Sequence, residues 1–199
     1  MLHAREREAI RVLWEEKLSQ EARNLPQRER HRNLEPASAE FICTLACGLG
    51  AKQLLEIGGS SGLSTIALAA AARETGGRLI SLEIEPTRQD LSRRRLQELG
   101  LAGRVDLLLA DAGKVLQQFH DLEFVLIDCE KDDYVRFLSM LNLAKGAVVV
   151  ADNIISHSLH DYVQAVRDYP DVESVTLPVG KGLEVSRFVK GKGGMSHDG

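Results

Sequence analysis

Between Ala4 and about Gln20, the apolar residues Ile10, Leu13, Trp14 and Leu18 recur at steps of three and four among charged neighbours. That spacing predicts an amphipathic helix lying against the body of the molecule. The stretch from Glu21 to Asn33 is polar, holds Pro26 with Arg23, Arg28, Arg30 and Arg32, and reads as an irregular arm. Pro36, followed by Ala37 and Ser38, opens a second helix that runs to about Gly48. From Gln53 onward the pattern changes to short runs rich in Val, Leu and Ile that alternate with helical stretches. These runs are Gln53 to Ile57, Arg78 to Glu83, Val105 to Leu109, Phe124 to Asp128 and Ala147 to Ala151. Their apolar character is continuous rather than alternating, as central parallel strands covered on both faces require. After a helix from about Leu159 to Asp168, the runs Ser174 to Leu177 and Leu183 to Val189 are separated by Pro178, Gly180 and Gly182, which predicts an antiparallel hairpin at the sheet edge. The end of the chain, from Gly191, is expected to be disordered. The chain is thereby divided into an N-terminal helix and arm (1–35), an α/β body (36–190) and a tail (191–199).

Length and charge narrow the classes of function. The 199 residues suffice for one core and a short extra segment. The longest apolar run, Ile66 to Ala72, falls far short of the roughly 20 residues of a bilayer-spanning helix, and the N-terminus is charged, so no membrane association and a cytoplasmic location are expected. A formal net charge of -4 gives no general field for nucleic acid or anionic membranes. Cys43, Cys47 and Cys129 form no C-x-x-C pair and read as reduced, buried thiols.

Candidate chemistry begins where the first strand ends, in Glu56-Ile57-Gly58-Gly59-Ser60-Ser61-Gly62-Leu63-Ser64. A glycine loop between strand and helix lets backbone and helix N-terminus approach a ligand closely, and a nucleotide-like cofactor is its natural occupant. Gly58 and Gly62 are four apart and Ser60 stands where a dinucleotide fingerprint would have its second glycine, so that fingerprint is absent. At the end of the second strand, Glu83 can accept hydrogen bonds from both ribose hydroxyls, while Glu85 before Pro86 suits the entry to the next helix. Asp111 stands at the third strand end and also suits a helix N-cap.

Asp128-Cys129-Glu130-Lys131-Asp132-Asp133-Tyr134, followed one strand later by Asp152-Asn153, is the most specific signal. Read singly, Asp128 and Lys131 are an i, i+3 surface pair and Asp152-Asn153 a turn. Read together, they stand at the ends of strands expected to be neighbours, where two carboxylates and an amide oxygen form a hard oxygen set for Mg²⁺, Mn²⁺ or Ca²⁺.

In these motifs the chain resembles the Rossmann-like, S-adenosyl-L-methionine (AdoMet)-dependent O-methyltransferases. The loop follows their E-x-G-x-x-x-G pattern, and D-x-x-K-x-x-Y with a later D-N resembles the metal-dependent catechol and caffeoyl-CoA O-methyltransferases and their bacterial relatives, over roughly Pro36 to Lys190. The resemblance implies a seven-stranded, mostly parallel sheet with an antiparallel C-terminal hairpin and helices on both faces. It implies AdoMet bound by Glu56, Gly58, Gly59, Ser60, Gly62, Ser64, Glu83, Asp111 and Asp128, with Gly58 and Ser64 at the methionine end, Glu83 at the ribose and Asp111 at adenine. Asp128, Asp152 and Asn153 would bind the metal and Lys131 would be the general base; Tyr134 matches the motif without an assigned step. The acceptor would be a small hydroxylated, catechol-like or phenolic molecule.

Two features keep other readings open. Catechol O-methyltransferase has a tryptophan before the base lysine where this chain has Glu130, so a flat aromatic gate is missing. Some relatives methylate hydroxylated nucleosides in tRNA, and the arginine arm could hold phosphates. The remaining alternative is an AdoMet-binding protein without catalysis. Trp14 and its neighbours could pack on the domain, cover the substrate or form a homodimer contact; His157 and His160 follow the metal motif within a few residues.

Overall fold

The structure, a computed structural model, describes residues 1–26 and 29–193. In chain order the elements are α1 (Ala4–Ala22), α2 (Pro36–Leu49), β1 (Gln53–Ile57), α3 (Leu63–Thr75), β2 (Arg78–Glu83), α4 (Pro86–Glu98), β3 (Val105–Leu109), α5 (Ala112–Val115), β4 (Leu122–Ile127), α6 (Tyr134–Met140), β5 (Leu143–Ala151), α7 (His160–Arg167), β6 (Val172–Leu177) and β7 (Leu183–Phe188). The seven strands form one sheet in the order β3-β2-β1-β4-β5-β7-β6, parallel as far as β5 and antiparallel at β7 and β6. This is the expected Rossmann-like methyltransferase fold.

Why the strands are continuously apolar is visible in where successive side chains go. Leu54, Phe124, Leu126, Val148 and Val150 join one buried cluster with α1, α2 and α3, whereas Leu55, Ile57, Val125, Ile127 and Val149 join a second cluster with α6 and α7. Each strand thus has an apolar side chain on both faces. The Ala-rich α3, buried at every residue from Leu63 to Ala72, lies against the first face. α1 adds Ile10 and Leu13 to the same cluster, each worth about 1.5–3 kcal/mol relative to exposure. It is also held by Arg73, which pairs with the buried Glu6. The N-terminal helix therefore shares the core of the body.

Three boundaries differ from the sequence reading. β4 begins at Leu122 and ends at Ile127, leaving Asp128 just beyond the strand. β5 begins four residues early, at Leu143, because the chain shifts register between Leu122 and Phe124 around a left-handed Gly146 (φ 80°). The tail is ordered at its start: Lys192 exchanges backbone hydrogen bonds with Leu143 at 2.7 and 2.9 Å, and its Nζ donates to the carbonyls of Ser139 and Leu141. The rest of the expected tail, residues 194–199, lies outside the described residues, as does Arg28 of the arm. Among the described residues no helix is long and apolar enough to cross a membrane.

Candidate active site

The carboxyl ends of β2, β1, β4 and β5 meet at one edge of the sheet, where the strand order reverses direction between β1 and β4. In an open parallel sheet this is where ligands bind. Ile57 pairs with Leu82 on one side and Ile127 on the other, and Ile127 pairs with Ala151, so the residues that follow all emerge at one level. A cavity of about 680 Å³ opens there, with Gly58, Ser60, Glu83, Asp111, Asp128 and Glu130 among its walls.

The glycine loop is fixed by backbone contacts. Gly58 and Gly59 donate to the Leu82 carbonyl at 2.9 and 3.1 Å. Gly58 is left-handed (φ 98°), and a Cβ there would collide with the carbonyl oxygen of Asp128. Glu83 accepts from the backbone N–H of Ser60 at 2.7 Å, Ile84 at 2.8 Å and Glu85 at 2.9 Å. It therefore ties the loop to the end of β2 while lining the cavity. Glu85 caps α4 through Thr87, and Asp111 caps α5 by accepting from Gly113 N at 2.9 Å while also facing the cavity.

Four of the sequence-predicted residues stand behind this wall. Glu56 is fully buried and accepts from Thr65 Oγ1 at 2.7 Å and Ser81 Oγ at 2.5 Å; burial raises its pKa, against hydrogen bonds from Ser64, Ser81 and Thr65. Ser64 thus faces Glu56. Gly59 lies over the same carboxylate, and Gly62 supplies the left-handed turn into α3 with Ser92 packed against it. Their geometry supports the loop from beneath.

At the next two strand ends, Asp128 N donates to the Ile57 carbonyl at 3.0 Å and Asp152 N to the Ile127 carbonyl at 3.1 Å, which continues the ladder and brings the two acids together. The Asn153 amide, on a left-handed residue (φ 65°), lies 2.8 Å from Asp128 Oδ1 and 3.1 Å from Asp152 Oδ2. Asp152 is buried, its Oδ1 has no hydrogen-bond partner, and burial together with the Asp128 charge pushes its pKa up to about 7. Two converging carboxylates with an unsatisfied buried oxygen and a neighbouring amide fit a hard divalent cation, which would remove the mutual repulsion. Lys131 Nζ stands 3.4 Å from Asp128 Oδ1 and 2.9 Å from Tyr134 Oη. Tyr134 is fully buried and donates to the Asp152 carbonyl at 3.2 Å, so its hydroxyl ties the lysine to the second acid's backbone. That is the role the sequence left unassigned. The Cys129 thiol lines the cavity, but burial pushes its pKa up to about 12, and it stays protonated.

Sequence reasoning missed the contribution of the arm. Arg32 N donates to Ser60 Oγ at 3.0 Å, and its guanidinium pairs with Glu130, so the arm is latched across the cavity edge from the glycine loop to the segment after β4. Phe137, Arg88 and Arg136 also line the cavity. Only the odd charge at Glu130 signalled the latch in the sequence.

The O-methyltransferase family profile matches residues 11–188. A catechol O-methyltransferase from Mycobacterium tuberculosis is 37% identical over 120 residues, which cover 58% of this chain and 54% of that protein. The chain spans about half the length of that relative. Among solved structures, cofactor-bound Rv0187 from MTB is similar with a TM-score of 0.77 at 25% identity, covering 90% of each chain. An O-methyltransferase from Bacillus cereus in complex with SAH has a TM-score of 0.74 at 24% identity, covering 89% of this chain and 90% of the other.

Proposed function

The chain belongs to the O-methyltransferase family, and from that premise we propose that it transfers a methyl group from AdoMet to a hydroxyl of a small, catechol-like or phenolic acceptor with the help of a divalent cation. The observation that carries this reading is the convergence of Asp128, Asp152 and Asn153 beside Lys131, at strand ends adjoining the cavity that Gly58, Ser60 and Glu83 line.

Each residue has a distinct task. Gly58, Ser60, Glu83 and Asp111 hold AdoMet in the cavity, which supplies an electrophilic methyl. Glu56, Gly59, Gly62 and Ser64 keep the loop in shape from behind. Asp128, Asp152 and Asn153 hold Mg²⁺, Mn²⁺ or Ca²⁺, which when bound acidifies a neighbouring hydroxyl. Lys131 Nζ accepts the acceptor's hydroxyl proton, and Tyr134 Oη, 2.9 Å away, keeps that nitrogen turned toward Asp128. The Arg32–Glu130 pair covers one edge of the cavity and limits the access of water.

Calorimetric titration with S-adenosylhomocysteine, with Mg²⁺ and with chelator, tests the cofactor half. Methylation of catechols and hydroxylated phenols under the same two conditions tests the acceptor half. Micromolar binding and chelator-sensitive methylation are the expected results; absence of binding in both conditions refutes the reading.

A further inference from the structure

On the side of Asp128 and Asp152 away from the walls of the main cavity, hydrogen-bond donors outnumber acceptors. Lys17 of α1 is buried, and its Nζ donates to the Asn33 carbonyl at 2.8 Å with Glu21 at 3.9 Å. An ammonium has three N–H donors, so this leaves capacity over. Lys181, in the turn between β6 and β7, has its carbonyl held by Ile155 N at 3.1 Å and Ser156 N at 3.0 Å, which fixes it beside the segment that follows Asp152-Asn153. Its ammonium makes no ion pair or hydrogen bond with a carboxylate among the described residues. The side chains of Lys17 and Lys181 nonetheless face each other, and burial together with Lys181 lowers the Lys17 pKa. The Asn33 amide nitrogen is buried and has no acceptor among the described residues. Ile155, half exposed next to Lys181, supplies an apolar surface at the same place.

Two neighbouring ammonium groups and an unsatisfied amide N–H repel one another or remain unpaired until an anion arrives. The carboxylates nearby cannot serve, because they already face Asn153 and Lys131. The environment of His157 bears this out: burial lowers its pKa, and Lys131, Lys181 and Arg32 lower it further.

We propose that the acceptor carries a carboxylate on its hydroxylated ring, held by Lys181 and Lys17 with the Asn33 amide, while the ring lies against Ile155. This rests on the reading of Asp128, Lys131, Asp152 and Asn153 as the place where the hydroxyls bind. Lys181 and Lys17 are then specificity-determining residues, and a hydroxylated aromatic acid is the substrate class.

The test compares 3,4-dihydroxybenzoate with its neutral isostere 3,4-dihydroxybenzamide by calorimetry on the full chain, with Mg²⁺ and S-adenosylhomocysteine present. Wild type is expected to bind the acid at least about tenfold more tightly, and Lys181→Met to bring the ratio close to one. Lys181→Glu should invert the preference, with circular dichroism checking that each variant is folded. Equal affinities in wild type, a preference that survives Lys181→Met, or no binding of either compound overturns the proposal. Turnover is measured separately: tight, Lys181-dependent binding of the acid without any methylation would refute the methyl-transfer reading and leave the carboxylate site standing.

Discussion

Replacing Glu83 separates two jobs that its carboxylate performs together. A carboxylate has about four lone-pair positions, and three are taken by the N–H groups of Ser60, Ile84 and Glu85 at 2.7, 2.8 and 2.9 Å. One position, on Oε2, remains for a ribose hydroxyl. In Glu83→Ala the cofactor loses one charge-assisted hydrogen bond, worth about 1.5–3 kcal/mol, or roughly 10- to 150-fold in affinity. The free protein also suffers, because the buried Ser60 N–H is left without an acceptor at a cost of about 1–3 kcal/mol, which lowers Tm by about 2–4 °C per kcal/mol in a chain of this size. Glu83→Gln sharpens the point. Its amide oxygen can serve Ile84 and Glu85, but its NH₂ then faces the Ser60 N–H, donor against donor, so loop anchoring fails although the shape is retained. Calorimetry with S-adenosylhomocysteine and thermal unfolding of the ligand-free protein should therefore move together in both variants. An unchanged Kd in Glu83→Ala would move the ribose contact elsewhere, and a weakened Kd with an unchanged ligand-free Tm would refute the anchoring argument.

Three other perturbations probe different parts of the molecule. Asp152→Ala should abolish metal-stimulated methylation and leave S-adenosylhomocysteine binding nearly intact; equal wild-type activity with and without chelator would remove the metal from the reaction. Lys131→Met should lower kcat by about 10²- to 10⁴-fold, whereas Tyr134→Phe, which removes only the 2.9 Å positioning contact, should cost less and act on kcat more than on KM; near wild-type turnover of Lys131→Met ends its role as base. For Glu6, burial acts to raise the pKa, but the hydrogen bonds and charges of Arg73 and His3 outweigh it and hold the carboxyl below 4.5. The folded state then binds this proton less readily than the unfolded chain, so the stabilisation is present above the unfolded pKa and is lost as pH falls through the depressed folded value. Glu6→Gln should accordingly destabilise at neutral pH by about 1–3 kcal/mol, with the gap closing at about pH 3 in urea titrations; a gap of constant size would assign the effect to packing.

What could be read from the sequence followed from what a parallel sheet does to chain position. β1, β2 and β3 lie at the residues their apolar runs predict, because a strand buried on both faces has no polar positions to blur its ends. Asp128 and Asp152 could be brought together before any coordinates, since neighbouring parallel strands carry the residue after each strand to one edge. Where β5 begins was not legible: Leu143 to Gly146 holds a lysine and a glycine, and the register shift around Gly146 is tolerated only because β4 and Lys192 pair with that segment. The side chains behind the loop were misjudged for a similar reason. Glu56 is in motif position, but the direction of a side chain is set by strand alternation, which turns Glu56 beneath the loop toward Ser81 and Thr65.

The arm and the last turn were beyond reach altogether, and the physics says why. Arg32 meets Glu130 across 98 residues, and Lys17 meets Lys181 across a comparable span, through segments without periodicity. No local pattern encodes such encounters, because they depend on how α1 and the β6–β7 turn both fold back over the same strand ends. The parts of the site that belong to the shared fold are local to strand ends and are therefore visible in sequence. The charges that would choose one acceptor over another come from distant loops that the sheet only brings together. Acceptor choice can then change by substitutions in the arm or the turn, with Asp128, Lys131, Asp152 and Asn153 untouched, and the acid-to-amide affinity ratio is the quantity in which such a change would appear.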